Sequence, residues 1–188
     1  NAGTTYSGTV HFAGAFSVPS DYTFVPPRSG SHSFSGSDFE FHISGSRRIS
    51  VVDTGGNSLT DTSSVIQVYS SDIASFVLSD PGTVTAGTPF DLTVSGAVDQ
   101  YGNSASGTAV ITVQSGGGDS PGGVSPSLND IIVPAWAAIS SRTLSNAATT
   151  VLRGTANGNI DDTAPITVNP GAVELLVLSN YPDTITAG

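Results

Sequence analysis

Cysteine and lysine are both missing from this 188-residue chain, glutamate occurs twice, and arginine five times. Without cysteine there is neither a disulfide framework nor a thiolate metal site. Without lysine, a Lys–Asn isopeptide cross-link cannot form within the chain. Thirteen aspartates against so few cations leave a net charge of -10. Nucleic acid and anionic membrane surfaces are excluded as partners, because binding there is driven by counterion release onto clustered Lys and Arg. No run of 18 apolar residues occurs, so no membrane-spanning helix is predicted. Position 1 is Asn rather than Met, and no signal peptide precedes it. A processed product, an excised fragment or part of something longer is therefore expected.

What is present is 22 glycines, 11 prolines, abundant Ser and Thr, and short β-branched runs. That composition predicts an all-β protein. The chain also repeats itself. Val51, Asn57, Asp61, Ile66, Val68 and Ile73 recur as Val151, Asn157, Asp161, Ile166, Val168 and Val173, each at a spacing of 100. Phe76-Val-Leu-Ser-Asp-Pro-Gly-Thr-Val-Thr-Ala-Gly87 returns near the C-terminus as Val177-Leu-Ser-Asn-Tyr-Pro-Asp-Thr-Ile-Thr-Ala-Gly188. Such a period exceeds that of solenoid repeats and suits tandem β-sandwiches of about 100 residues each.

Strand expectations follow from alternation. Val10 and Phe12 alternate with Thr9 and His11, and Tyr22 to Val25 forms a short strand stopped by Pro26-Pro27. Phe39, Phe41 and Ile43 are expected inward, with Glu40 and His42 towards solvent. Ile49 to Val52 is expected to form a hairpin with Val65 to Val68, around a turn at Asp53 to Asn57. Ile73 to Leu78 and Val84 read as one strand split by Asp80-Pro-Gly82. Phe90, Leu92 and Val94 share a face, Asp99 to Asn103 is a turn, and Ala109 to Val113 is the next strand. Residues 116–123 are a glycine-rich insert, and Thr149 to Leu152 and Ile166 to Val168 finish the fold. Around Pro134 to Ile139 a single helical turn is expected.

Ser-Gly-Thr-Val-His-Phe at 7–12, Asp-Tyr-Thr-Phe at 21–24, Ser-His-Ser-Phe at 31–34 and Arg-Ile-Ser-Val-Val-Asp-Thr at 48–54 carry a resemblance. So do Thr-Ala-Gly-Thr-Pro-Phe-Asp-Leu-Thr-Val at 85–94 and Asp-Gln-Tyr-Gly-Asn at 99–103. Together they resemble the filamin-like and other Ig-like tandem repeats of bacterial and archaeal secreted and cell-surface proteins. The resemblance implies seven-strand immunoglobulin-like β-sandwiches, a spacer, adhesive or fibre-forming role outside a prokaryotic cell, and no catalytic residues. Cysteine avoidance in an acidic, Ser/Thr-rich β-protein points the same way.

The expected organisation is an incomplete Ig-like domain at 1–70 lacking its opening strands, a fuller one at 71–169, and at 170–188 the opening strand of a following repeat. Strand addition of that tail to the incomplete domain of the next copy would give a homopolymer. Val173, Leu175, Leu176, Val177, Leu178 and Ile185 would carry the joint, against an edge at Val65, Ile66 and Val68. The alternative is that the chain is an excerpt of a longer array whose missing strands lie in cis.

Other chemistry is sparse. His11, His32 and His42 lack metal-ligand spacing. Oxygen-rich loops at Asp99 and at Asp161 and Asp162 leave calcium open beside the reading as ordinary turns. Trp136, the sole tryptophan, is read as a core or interface anchor, with a glycan-stacking platform as its alternative. No Gly-x-Ser-x-Gly elbow sits between a strand and a helix, and an enzyme is not expected. No Asn-x-Ser/Thr sequon occurs, and O-glycosylation stays open.

Overall fold

The computed structural model describes residues 6–25, 31–56, 58–134 and 136–173. The predicted joining residues Leu175, Leu176, Val177, Leu178 and Ile185 lie outside the described residues. The described chain is all-β, its one helical element being a 3-10 turn at Gly36–Asp38. Its first strands are β1 (Gly8–Ala13), β2 (Tyr22–Phe24), β3 (Gly45–Arg47), β4 (Ser50–Asp53), β5 (Thr60–Thr62) and β6 (Ile66–Val68). There follow β7 (Ser75–Leu78), β8 (Thr83–Thr85), β9 (Phe90–Val98), β10 (Gly107–Ser115) and β11 (Ile131–Val133). Last come β12 (Trp136–Arg142), β13 (Thr149–Ala156), β14 (Asn159–Asp162) and β15 (Ile166–Asn169).

From β7 onward two sheets enclose a core. One runs β12-β9-β7; the other runs β11-β10-β13-β15-β8, with β14 also paired to β13. Strict alternation in β9 turns Leu92 and Val94 inward, both fully buried, against Ile111, Ile131, Val133, Leu152 and Ile166 of the facing sheet. The turn at Asp80 to Gly82 passes the chain from one sheet to the other. β7 pairs antiparallel with β9, whereas β8 pairs parallel with β15 at Val84 and Val168. The split strand expected from the sequence is thus a strand shared between two layers.

Residues before β7 form a sheet β2-β1-β4-β5 and a two-stranded ribbon β3-β6. Among the described residues Phe12 is the one buried apolar side chain that precedes Ile73. Phe34 and Phe39 cover it edge-on, with ring centroids at 4.7 Å and 5.5 Å.

The two regions follow one path. β1 lies between β2 and β4 as β10 lies between β11 and β13. Each central strand ends at a glycine of positive φ, Gly14 at +105° and Gly116 at +78°, where a β-carbon would collide with the carbonyl of Arg48 and of Thr149 respectively. Only glycine fits such a close backbone crossing. Superposing these crossings sets Val51 beside Leu152 and Asp53 beside Gly154.

Three local expectations change. Residues 39–43 are not a strand: Glu40 makes an isolated bridge to Ser17, Ile43 is exposed and His42 is half-buried. Aromatic packing of Phe39 on Phe12 and of His42 between rings overrides the period-2 pattern. The strand Ser50–Asp53 closes its hairpin with Thr60–Thr62 rather than with 65–68, because Asp53 N–H donates to the Leu59 carbonyl at 2.8 Å. Ile66–Val68 pairs instead with Gly45–Arg47. Finally, Trp136 to Ile139 opens β12 and pairs with β9 through a register shift after Trp136, and is not a helical turn.

Candidate functional site

The inner face of the N-terminal sheet carries Val10 and Phe12 from β1 with Val51 and Asp53 from β4, since the pairs Phe12–Val51 and Val10–Asp53 are cross-strand partners. Two neighbouring depressions open over it. One, of about 220 Å³, is lined by Tyr6, Val10, Val51, Asp53, Leu59, Thr60 and Asp61. The other, of about 210 Å³, is lined by Phe12, Ile49, Val51, Asp61, Thr62 and Ser63. Val51 and Asp61 belong to both, so they form one groove that runs along β4.

In the second unit the corresponding floor is covered. A β-carbon built on Gly154 would lie 3.0 Å from Phe76 and 3.1 Å from Leu78, so β7 rests directly on β13. The Leu78 amide donates to Asp161 Oδ2 at 2.7 Å, which ties that covering strand to β14. Asn159 Nδ2 adds a second tie, donating to the Ile73 carbonyl at 3.1 Å. Asp61, the repeat counterpart of Asp161, faces the open groove one pleat further along, opposite Val51. Beside it, burial raises the pKa of the Tyr6 hydroxyl, and the Asp53 carboxylate it faces raises it further.

A second polar cluster joins the segment at His42 and Ser44 to the turn at Asp99 to Asn103. Asp99, 3% exposed, accepts hydrogen bonds from the amides of Ser71 (3.1 Å), Tyr101 (2.9 Å) and Asn103 (2.9 Å). Asn103 Nδ2 donates to Asp99 and to the His42 carbonyl, while its Oδ1 accepts from the Ser44 amide at 2.9 Å. Burial works to raise the Asp99 pKa, but the Asn103 side-chain amide and the three backbone amides outweigh it and hold the carboxyl below its ordinary value. The His42 ring stacks between Phe16, at 3.6 Å, and Tyr101, at 4.1 Å.

These contacts locate the remaining sequence candidates. Asp99 is filled by its own loop, Asp161 by the Leu78 amide, and Asp162 by a two-point pair with Arg153 at 2.7 and 2.8 Å. Among the described residues no group of three or more His, Cys, Asp or Glu side chains could hold a metal ion. His11 bonds Asp21 at 2.7 Å on the surface, and His32 stacks on Tyr22. Trp136 opens β12 with φ of +70° and is 53% exposed, so it is not a core residue. Val65 is exposed, and Ile66 and Val68 are half-buried in the β3–β6 ribbon. Val173 is exposed at the last described position.

Sequence reasoning missed the groove floor at Val51 and the ring stack at His42. The repeat itself held the first signal, since the sequence over β7 recurs in the tail. No described helix is long and apolar enough to cross a membrane.

Comparison with protein-family models finds no match. Curated protein sequences give none either. Among solved structures, the chain is similar to domains 4 and 5 of the S-layer protein SbsC, with 14% identity over 85% of this chain and 70% of that one, at a TM-score of 0.40. Structures of SbsC domains 1–6 and domains 4–9 each share 16% identity at a TM-score of 0.41. The matches cover 72% and 71% of this chain and 18% and 19% of those chains respectively.

Proposed function

We propose that this chain is a non-enzymatic structural unit of an extracellular, prokaryotic surface array, built of immunoglobulin-like sandwiches in series and joined head to tail by strand addition. The observation that carries the reading is the groove over Val51: the face covered by Phe76 and Leu78 in the second unit has no strand over it among the described residues of the first. A strand packed across this apolar face would bury its side chains, and the edge of β6, paired with β3 alone among the described residues, can take up such a strand's backbone by β-augmentation. Four or five apolar side chains buried there, at roughly 1.5–3 kcal/mol each, suffice for a durable joint after ordering costs. Copies of the chain are its partners, and the joint as proposed requires no cofactor. Sedimentation velocity tests this: the intact chain should associate with rising concentration, and deletion of residues 171–188 should leave it monomeric.

A second reading rests on Trp136. At 53% exposure its indole is open to solvent, and an exposed indole is the sort of surface that stacks on sugar rings. Under that reading the chain is an adhesive or carbohydrate-binding spacer. Glycan binding by the intact chain, abolished by Trp136→Ala, would favour it over the array.

A further inference from the structure

We propose that the groove on the N-terminal sheet is the seat of a defined part of the tail of a second copy, with Leu176 and Leu178 lying over Val51 and Asp53 and the Leu178 amide donating to Asp61. This rests on the strand-addition reading above and specifies where and how the strand docks.

The template is internal to the molecule. β7 places Phe76 and Leu78 on Gly154 and gives the Leu78 amide to Asp161. At a spacing of 100, the sequence repeats Phe76, Leu78 and Asp161 as Leu176, Leu178 and Asp61. A covering strand and the carboxylate that anchors its backbone therefore each have a copy, but the copied cover lies at the opposite end of the chain from the sheet that carries the copied carboxylate. Aliphatic Leu176 in place of Phe76 suits a floor that has changed from Gly154 to the bulkier Asp53, since a smaller lid is needed over a larger base.

The rest of the tail extends the match. Beyond its proline turn, Thr184-Ile-Thr186 repeats Thr83-Val-Thr85, the strand that pairs in parallel with β15. β15 repeats β6 at a spacing of 100, and β6 pairs with β3 alone among the described residues. Ile185 thus falls along Ile66 and Val68, in the place that Val84 takes beside Val168. The anchoring amide gains a charged acceptor in a partly dry groove, a stronger bond than one to a neutral carbonyl.

Neighbouring residues of one strand give the test, because Val51 lines the groove and Val52 faces the opposite side of the sheet. Val51→Arg, placing a guanidinium in the groove, should raise the concentration needed for self-association at least about tenfold; Val52→Arg should leave it unchanged. Leu178→Arg, a change in the proposed docking strand rather than in the groove, should match Val51→Arg. For the docking site itself, the chain's lack of cysteine allows a clean cross-link. Equal amounts of Leu59→Cys and Leu178→Cys chains should yield a mixed disulfide dimer on a non-reducing gel, while Ile132→Cys with Leu178→Cys should not. Association that survives both arginine variants, or cross-links at Ile132 instead, overturns the docking site but leaves strand addition standing. A chain that neither associates nor cross-links overturns both. A Leu59→Cys/Leu178→Cys double variant that closes within single chains at every concentration overturns the second copy as occupant.

Discussion

The sheets built on β4 and on β13 follow the same path over different neighbours. β13 is covered by β7 and buries Leu152 completely; β4 carries a groove and leaves Val51 half-buried. Path and cover are thus separable properties. The glycine crossings, hairpins and central strands persist in both regions, whereas most of the apolar burial belongs to the region that holds its own covering strand. Strand pairing settles the topology, but burial between layers supplies the stability.

The largest effect should come from matched truncations. Leu152→Ala, in the closed core, should cost about 2–5 kcal/mol in urea unfolding followed by the fluorescence of Trp136, which lies in that unit. Val51→Ala, its counterpart, should cost under about 1.5 kcal/mol in dilute protein, because its side chain is only half-buried. If the two costs were equal, the groove would already be filled in the monomer.

Next is the cluster around Asp99. Asp99→Ala leaves the amides of Ser71, Tyr101 and Asn103 without their acceptor, at about 1–3 kcal/mol. Because the folded pKa of Asp99 is lowered, its stabilisation is present above the unfolded value of about 3.9 and is lost as pH falls through the folded value. Acid titration of the wild-type chain should therefore lose stability below about pH 4 more steeply than the Asp99→Ala chain does.

A loss at least as large should follow from Gly14→Ala and Gly116→Ala. Both force a β-carbon against a carbonyl at positive φ, so thermal unfolding should show loss from each, with Trp136 fluorescence responding to the second and far-ultraviolet dichroism to both. Smallest of all is Arg142→Met. Burial depresses the Arg142 pKa, partly offset by Asp130, and its Nε and Nη2 atoms have no hydrogen-bond partner among the described residues. A methionine of similar length should be neutral or stabilising by about 1 kcal/mol in the same urea assay.

The sequence made the all-β class, the strand shared across Asp80 to Gly82 and the apolar face of Phe90, Leu92 and Val94 legible, because alternation and turn residues are local signals. It also showed the repeat on which the groove argument rests. It misplaced the strand at 39–43 because Phe39 and His42 are held by rings from elsewhere in the chain, which no local pattern records. The hairpin partner of β4 was missed because both Thr60–Thr62 and Ile66–Val68 fit a strand. The choice fell to a single backbone bond from Asp53 to Leu59. Trp136 read as a core or interface anchor on its apolar neighbours alone, and neither its left-handed backbone nor its exposure has a sequence mark.

The parallel alignment of β8 with β15 has a mechanical consequence. Tension applied along a string of such units enters near β7 and leaves near β15, pulling β8 and β15 past each other lengthwise. Their hydrogen bonds then lie across the direction of pull and are loaded together, so rupture requires several to fail at once rather than one after another as in a zipper. A joint that copies this geometry, with Thr184 to Thr186 of one molecule beside β6 of the next, would resist stretching as well as the interior of each link does.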